Sequence, residues 1–181
     1  MTKLVSIVGM AGSGKSEVAK IFENSGFVKI RFGDITDREI SQRGLELNEE
    51  NERYIGQQLR KEHGMSAYAK LSLSQIDRLL KSVDVVVDGL YSWEEYTLLK
   101  SRYGDHFTVV AVWASPETRY ERLAKRSVRP LTAEEAVNRD IAEIEDTNKG
   151  GPIAMADFII INESSLRGLE RETKRVLAAL K

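Results

Sequence analysis

A chain of 181 residues, 41% hydrophobic and 30% charged, has the size and composition of one compact domain with a substantial core. Its 27 basic and 28 acidic side chains leave a net charge of -1, so bulk charge gives no reason to expect a nucleic-acid partner. The lack of cysteine excludes disulfides, thiolate metal sites and cysteine nucleophiles, and no apolar run approaches the ~20 residues of a membrane span.

Leu4 to Val8 is a short apolar run, as expected of a strand buried on both faces. It comes too soon after Met1-Thr2-Lys3 to read as a signal peptide, so a cytoplasmic location is expected. Lys15 to Asn24 has helical spacing, with Val18, Ala19, Ile21 and Phe22 apolar, and Phe27 to Phe32 reads as a second strand. From Ile35 to Ser82 the chain is mostly helical, with breaks at Gly44, near Gly56 and at Gly64. Val83 to Val87 is a third strand, Trp93 to Arg102 a helix and Phe107 to Trp113 a fourth strand. Pro116 opens a helix reaching to Arg126. Thr132 to Asn148 is another helix, with Thr132 and Glu135 at capping-box spacing. Phe158 to Ile161 is a fifth strand and Leu166 to Leu180 a closing amphipathic helix. The two histidines, His63 and His106, lack metal-ligand spacing.

Strands alternating with helices predict an α/β fold with a five-stranded parallel sheet, helices on both faces, and ligands at the carboxyl ends of the strands. The stretch between the second and third strands, about 34–82, is longer than a crossover helix needs, and is expected to form an acceptor-binding insert.

Gly9-Met10-Ala11-Gly12-Ser13-Gly14-Lys15-Ser16 satisfies the phosphate-loop pattern, with a strand before it and a helix after. Backbone N–H groups from Gly9, Ala11, Gly12, Ser13 and Gly14 through Glu17 would surround the phosphates of ATP. Lys15 would reach the β- and γ-phosphates, and the Ser16 hydroxyl would ligate Mg²⁺. A ligand-free glycine turn is the bland alternative. Asp88, ending Val83 to Asp88 before Gly89, is placed to hold Mg²⁺ or orient an acceptor, or else to cap the next turn or helix. Asp34, in Phe32-Gly33-Asp34, could act as general base; equally, Asp34 or Thr36 could cap the next helix. Arg119, Arg122, Arg126 and Arg129 recur at intervals of three and four, and Arg139 lies on the next helix. Together they read as a lid over about 119–140 that closes on ATP, or as a solvated face paired with Glu117 and Glu121.

On these residues the chain resembles P-loop kinases of two groups. Gly9 to Phe22, Leu131-Thr132-Ala133-Glu134-Glu135-Ala136 with Arg139, and Ala156 to Asn162 are similar to dephospho-CoA kinases. That resemblance implies a P-loop NTPase three-layer fold, places Asn162 and Glu163 beside the adenine, and makes Asp34 the base. Gly33-Asp34, Arg43-Gly44-Leu45, Leu59 to Gly64, Ala67 to Lys70, Val87-Asp88-Gly89 and Ala114 to Arg119 are similar to a small adenylate-kinase-related family. Nucleoside-monophosphate kinases of that type clamp the acceptor phosphate with two arginines, and the corresponding positions here are Asp37 and Tyr91, with Arg38 or Arg60 as substitutes. A carboxylate facing a phosphate has the wrong sign.

The expected function is therefore ATP- and Mg²⁺-dependent transfer to the hydroxyl of a small nucleotide-like acceptor. Asp34, Asp37, Arg38, Arg60, Gly89 and Tyr91 would line the acceptor site. Lys15, Asp34, Asp88, Arg122 and Arg126 would be catalytic, and Ser16 and Asp88 would hold the metal. A nucleoside-monophosphate kinase is one alternative, and an ATP- or AMP-binding regulator with little turnover is another. No nucleic-acid or membrane partner is expected, and the sequence leaves the oligomeric state open.

Overall fold

The computed structural model describes residues 2–127 and 130–180. Five strands run through its centre: β1 (Leu4–Val8), β2 (Val28–Arg31), β3 (Val85–Asp88), β4 (Phe107–Trp113) and β5 (Phe158–Ile161). They form one parallel sheet in the order β2-β3-β1-β4-β5. Nine α-helices connect and cover the strands among the described residues: α1 (Lys15–Asn24), α2 (Gly33–Gln42), α3 (Glu49–His63), α4 (Ala67–Leu79), α5 (Trp93–Tyr103), α6 (Pro116–Ala124), α7 (Ala133–Glu145), α8 (Gly150–Ala154) and α9 (Leu166–Ala179).

The two-residue period of the strands divides the core. Leu4, Val8, Val85, Val87, Val109 and Ala111 face a cluster that includes Ile40 of α2, Ile55 and Leu59 of α3, Ile76 of α4 and Leu99 of α5. Val5, Ile7, Val86, Val110 and Val112 face the opposite way, toward Val18, Ala19 and Phe22 of α1 and Leu169 and Val176 of α9. Strands apolar on both faces need helices on both, which makes three layers. Phe22, Phe32 and Phe107 are fully buried, each contributing roughly 1.5–3 kcal/mol of transfer free energy.

Several boundaries differ from the sequence expectation. Gly56 does not break a helix: it lies buried inside α3, where an added Cβ would meet Tyr68 Oη at 3.2 Å and Arg60 Nη1 at 3.3 Å. Its smallness serves packing between α3 and α4. The helix from Pro116 stops at Ala124, before Arg126. The one beginning after Thr132 stops at Glu145, and its capping box with Glu135 is present. The short α8 has no signal in the sequence, since Gly150-Gly151-Pro152 reads as a loop.

The sheet places function in one region. The chain leaves the central β1 toward β2 on one side and later returns to β4 on the other. The loop after β1 therefore sits at the topological switch point, where α/β sheets bind ligands. A small cluster of Ala11, Leu123, Leu131 and Ala136 fastens that loop to α6 and α7.

Candidate active site

The loop from Gly9 to Gly14 leads directly into α1. Gly14 has φ 100°, and a Cβ there would come within 2.4 Å of the Asn162 amide nitrogen, so only glycine fits. No side chain caps α1. The N–H groups that open the helix lack the usual acceptor four residues back and carry the positive end of the helix dipole, although that of Glu17 turns onto the Gly14 carbonyl at 3.1 Å. The Ser13 hydroxyl is buried within the loop without a partner. A nest of unsatisfied donors at a helix N-terminus fits an anion of phosphate size. Ser16 and Glu17 are exposed at the mouth of this cradle.

Tertiary contacts hold the loop in shape. Asn162 Nδ2 donates to the Ser13 carbonyl at 2.8 Å. Arg119 Nη1 donates to the Ala11 carbonyl at 3.2 Å, and Lys15 Nζ turns back onto the Met10 carbonyl at 2.9 Å. Burial is the main cause that lowers the Lys15 ammonium from 10.5 to about 7, and the nearby Lys149 ammonium adds to it. Glu143 and Asp88 oppose the shift in part. A bound anion would offset the cost that burial imposes on the charged form of this lysine.

The charged neighbours of Lys15 lie mostly on α7 and the turn after it. Lys149, with side-chain exposure of only 1%, donates to Glu143 Oε2 at 2.7 Å and lies 5.3 Å from the centre of the Tyr91 ring. Arg139 reaches Glu143 Oε1 at 3.4 Å and Glu49, on the first turn of α3, at 2.6 Å. Burial would raise the Glu143 carboxyl, but Lys149, Lys15 and Arg139 pull it down to about 2. Arg126 is lowered by burial and by the Arg139 guanidinium, against Glu49 and Glu143. Lys15, Arg126, Arg139 and Lys149 thus share one neighbourhood, with Glu143, Glu49 and Asp88 as anions among them.

Sequence reasoning misses Lys149 and Glu143. The only hint of Glu143 is its position four residues after Arg139, and Lys149 sits in an unpatterned turn. Asn148, at φ 53°, bends that turn and directs Lys149 inward.

Asp88 ends β3 as expected and is buried. It does not cap the next helix: Ser92 and Glu95 form that capping box. Gly89 comes next with φ 106°, and a Cβ there would meet Tyr91 Oη at 2.9 Å.

Asp34 and Thr36 do not cap α2 either, since the helix begins at Gly33 without a side-chain cap. Both Asp34 and Asp37 bind Arg31, at 2.8 and 2.6 Å. Arg31 is a cation that sequence reasoning misses because it is hidden inside a strand. Burial would lower it, but hydrogen bonds to Asp37 and Asp34 hold it well above its usual range. Thr36 meets Tyr68 Oη at 2.7 Å. Arg60 lies over the Tyr68 ring at 5.2 Å, and Arg38 is exposed on α2. Burial pushes the Tyr91 phenol up.

The expected arginine face does not form. Arg119 is buried and makes a bidentate pair with Asp140 at 2.9 and 2.6 Å, not with Glu117 or Glu121. Arg122 donates to the Asn162 carbonyl at 2.9 Å, while its Nη1 is buried without a partner among the described residues. Arg126 lies beyond the end of α6, and Arg129 falls outside the described residues. Of the adenine-side pair, Asn162 braces the loop, and Glu163 accepts from the Thr118 hydroxyl at 2.6 Å and from the Ser115 amide. Among the described residues no group of three His, Asp or Glu side chains could hold a metal ion by itself, and no helix is long and apolar enough to cross a membrane.

Residues 5–145 match the AAA domain family. Over 178 residues the chain is 39% identical to a UPF0200 protein of Thermococcus kodakarensis, covering 96% of each chain. Its fold is similar to that of a shikimate kinase from Bacteroides thetaiotaomicron, with a TM-score of 0.63 at 14% identity over 98% of both chains. It is also similar to a dephospho-CoA kinase from Campylobacter jejuni, with a TM-score of 0.58 at 17% identity over 99% of this chain and 98% of that one. The fold is that of the P-loop kinase superfamily.

Proposed function

The chain belongs to the UPF0200 family and carries the AAA domain, and we propose that it is an ATP- and Mg²⁺-dependent kinase that phosphorylates a hydroxyl of a small acceptor. The observation that carries this reading is the intact phosphate loop whose Lys15 lies in a neighbourhood of Arg126, Arg139 and Lys149, with Asp88 alongside. A fixed positive site at a helix N-terminus suits a triphosphate, and cations on a second element suit the charge that develops during phosphoryl transfer.

In this reading the loop N–H groups and Lys15 bind the β- and γ-phosphates. Ser16 and Asp88 offer the hard oxygen donors that would hold Mg²⁺, which supplies charge neutralisation at those phosphates. Arg126 and Arg139 act as the lid, and Asn162 and Glu163 border the nucleotide base. Asp34, largely exposed and paired with Arg31 at one oxygen, takes the proton from the acceptor hydroxyl. The reading agrees with the activities named for neighbours in the same fold, a dephospho-CoA kinase and a shikimate kinase.

A nucleoside-monophosphate acceptor is the competing reading, and the observation in its favour is Arg60, whose buried Nε has no partner among the described residues. Incubation with Mg²⁺-ATP and a panel of dephospho-CoA, nucleosides, sugars and nucleoside monophosphates, read by product mass, separates the two. A phosphomonoester formed on a hydroxyl, and lost in Lys15→Ala, is expected. A nucleoside diphosphate would establish the competing reading, and no product with any acceptor would count against both.

A further inference from the structure

Lys149 and Glu143 form a nearly dry ion pair at 2.7 Å, with side-chain exposures of 1% and 15%. Its place in the fold separates it from a simple brace. Lys149 lies 5.3 Å from the centre of the Tyr91 ring. Tyr91 follows closely on Asp88, which pairs with Ile7 in the sheet register. The pair therefore stands over the carboxyl ends of β1 and β3, beside the loop that begins at Gly9. Both of its charges act on Lys15 in that loop.

The bonding leaves this pair exchangeable. Arg119 and Asp140 are joined by two bonds between a planar guanidinium and both carboxylate oxygens. The Lys149 ammonium, by contrast, spends one of its three donors on Glu143 among the described residues. A compact ammonium can turn from one anion to another, whereas a bidentate fork is fixed by its geometry. The other lid-side cation is held in a similar way. Arg139 reaches Glu143 at 3.4 Å and Glu49, on the first turn of α3, at 2.6 Å.

A buried ammonium needs a counter-ion, because an unpaired buried charge is strongly destabilising. Glu143 meets that need from within the chain. A phosphate brought to Lys15 offers oxygens to the same cations and is repelled by the carboxylate, so the two anions oppose each other there.

We infer that Glu143, aided by Glu49, is an internal counter-ion that competes with an incoming phosphate for Lys149 and Arg139. It thereby restrains how tightly the loop takes an anion. This rests on the phosphate-binding role proposed for the loop, and adds to it residues that oppose binding.

The test titrates pyrophosphate, without a divalent metal, into the parent protein, Glu143→Gln and Glu49→Gln by calorimetry. Glu143→Gln keeps the shape of the side chain and removes its charge, so pyrophosphate should bind about tenfold more tightly. Glu49 is 40% exposed, so Glu49→Gln should tighten binding by about threefold. Binding by Glu143→Gln that is no tighter than the parent's overturns the inference and makes Glu143 a brace for Lys149. If Glu143→Gln does not fold, Glu49→Gln decides by the same criterion, because an exposed pair contributes little to stability. No binding by any of the three proteins overturns both this inference and the kinase reading. The kinase reading fails by itself if the parent takes pyrophosphate but not a non-hydrolysable ATP analogue with Mg²⁺.

Discussion

The two sides of the cleft are built on different principles. On the phosphate-loop side, shape is imposed by backbone: a glycine at φ 100° opens α1, and buried anchors from Asn162 and Arg119 brace the loop carbonyls. On the proposed acceptor side, shape is imposed by charges that satisfy one another: Arg31 with Asp34 and Asp37, and Glu95 with its own helix. A phosphate cradle needs the same donors whatever the rest of the substrate is, so it can be rigid and generic. An acceptor site has to discriminate, and side chains do that better than backbone.

The sharpest way to break the contrast is to remove an anchor from the rigid side. Asp140 is the partner of Arg119, and the pair is nearly dry, with side-chain exposures of 5% and 11%. Asp140→Ala leaves a buried guanidinium uncompensated, so urea unfolding should show a loss of about 3–5 kcal/mol. ATP binding should weaken too, because the Ala11 carbonyl loses a fixed neighbour. A loss below about 1 kcal/mol would mean that the pair does not brace the loop.

The acceptor side should respond the opposite way, losing rate rather than stability. Asp34→Asn removes the proposed base and should lower kcat about a hundredfold. The Asp34 side chain is 60% exposed, so its pair with Arg31 should contribute at most about 1 kcal/mol to stability. A variant that unfolds easily but turns over normally would make Asp34 a structural residue.

This difference also explains what could be read from sequence. The phosphate loop is eight consecutive residues between a strand and a helix, and periodicity placed all five strands and most helices to within a few residues. The apolar alternation that divides the core, as in Val85 to Val87, is a local property. The acceptor and lid contacts are not local: Arg139 meets Glu49, and Arg122 meets Asn162, across long stretches of chain. Arg119, Arg122 and Arg126 share a helical spacing, yet packing sent Arg119 inward to Asp140, and an early helix end released Arg126. Lys149 had no pattern to betray it, and Arg31 was masked by its strand.

A smaller effect sharpens the view that backbone sets the loop. Gly14→Ala places a Cβ 2.4 Å from the Asn162 amide at a positive φ. Strain of this kind costs about 1–3 kcal/mol, and nucleotide affinity should fall with it. Ser13→Ala at the adjacent position removes the unpartnered hydroxyl without backbone strain. Thermal unfolding should therefore separate the two variants, with the glycine change the more damaging.

The subtlest test links the two sides through Lys15, lowered from 10.5 to about 7. In the free protein the unfolded chain binds the extra proton between those values, so this residue makes stability rise with pH from about 7 to about 10.5. Anion binding has the reverse sign, because only the ammonium attracts the ligand. Sulfate, which does not titrate in this range, should bind more tightly as pH falls through about 7, by at most about tenfold per unit from this one group. Glu143, held near 2, stays ionised throughout. Removing Lys149 alone would leave the Glu143 carboxylate with Arg139 as its remaining partner at 3.4 Å, so the cleaner variant is the pair Lys149→Met with Glu143→Gln. Lys149 lowers Lys15 more than Glu143 raises it, so the double variant should move the sulfate titration toward higher pH. A midpoint that stays put or moves lower would mean that the lid-side charges do not govern the phosphate-loop lysine.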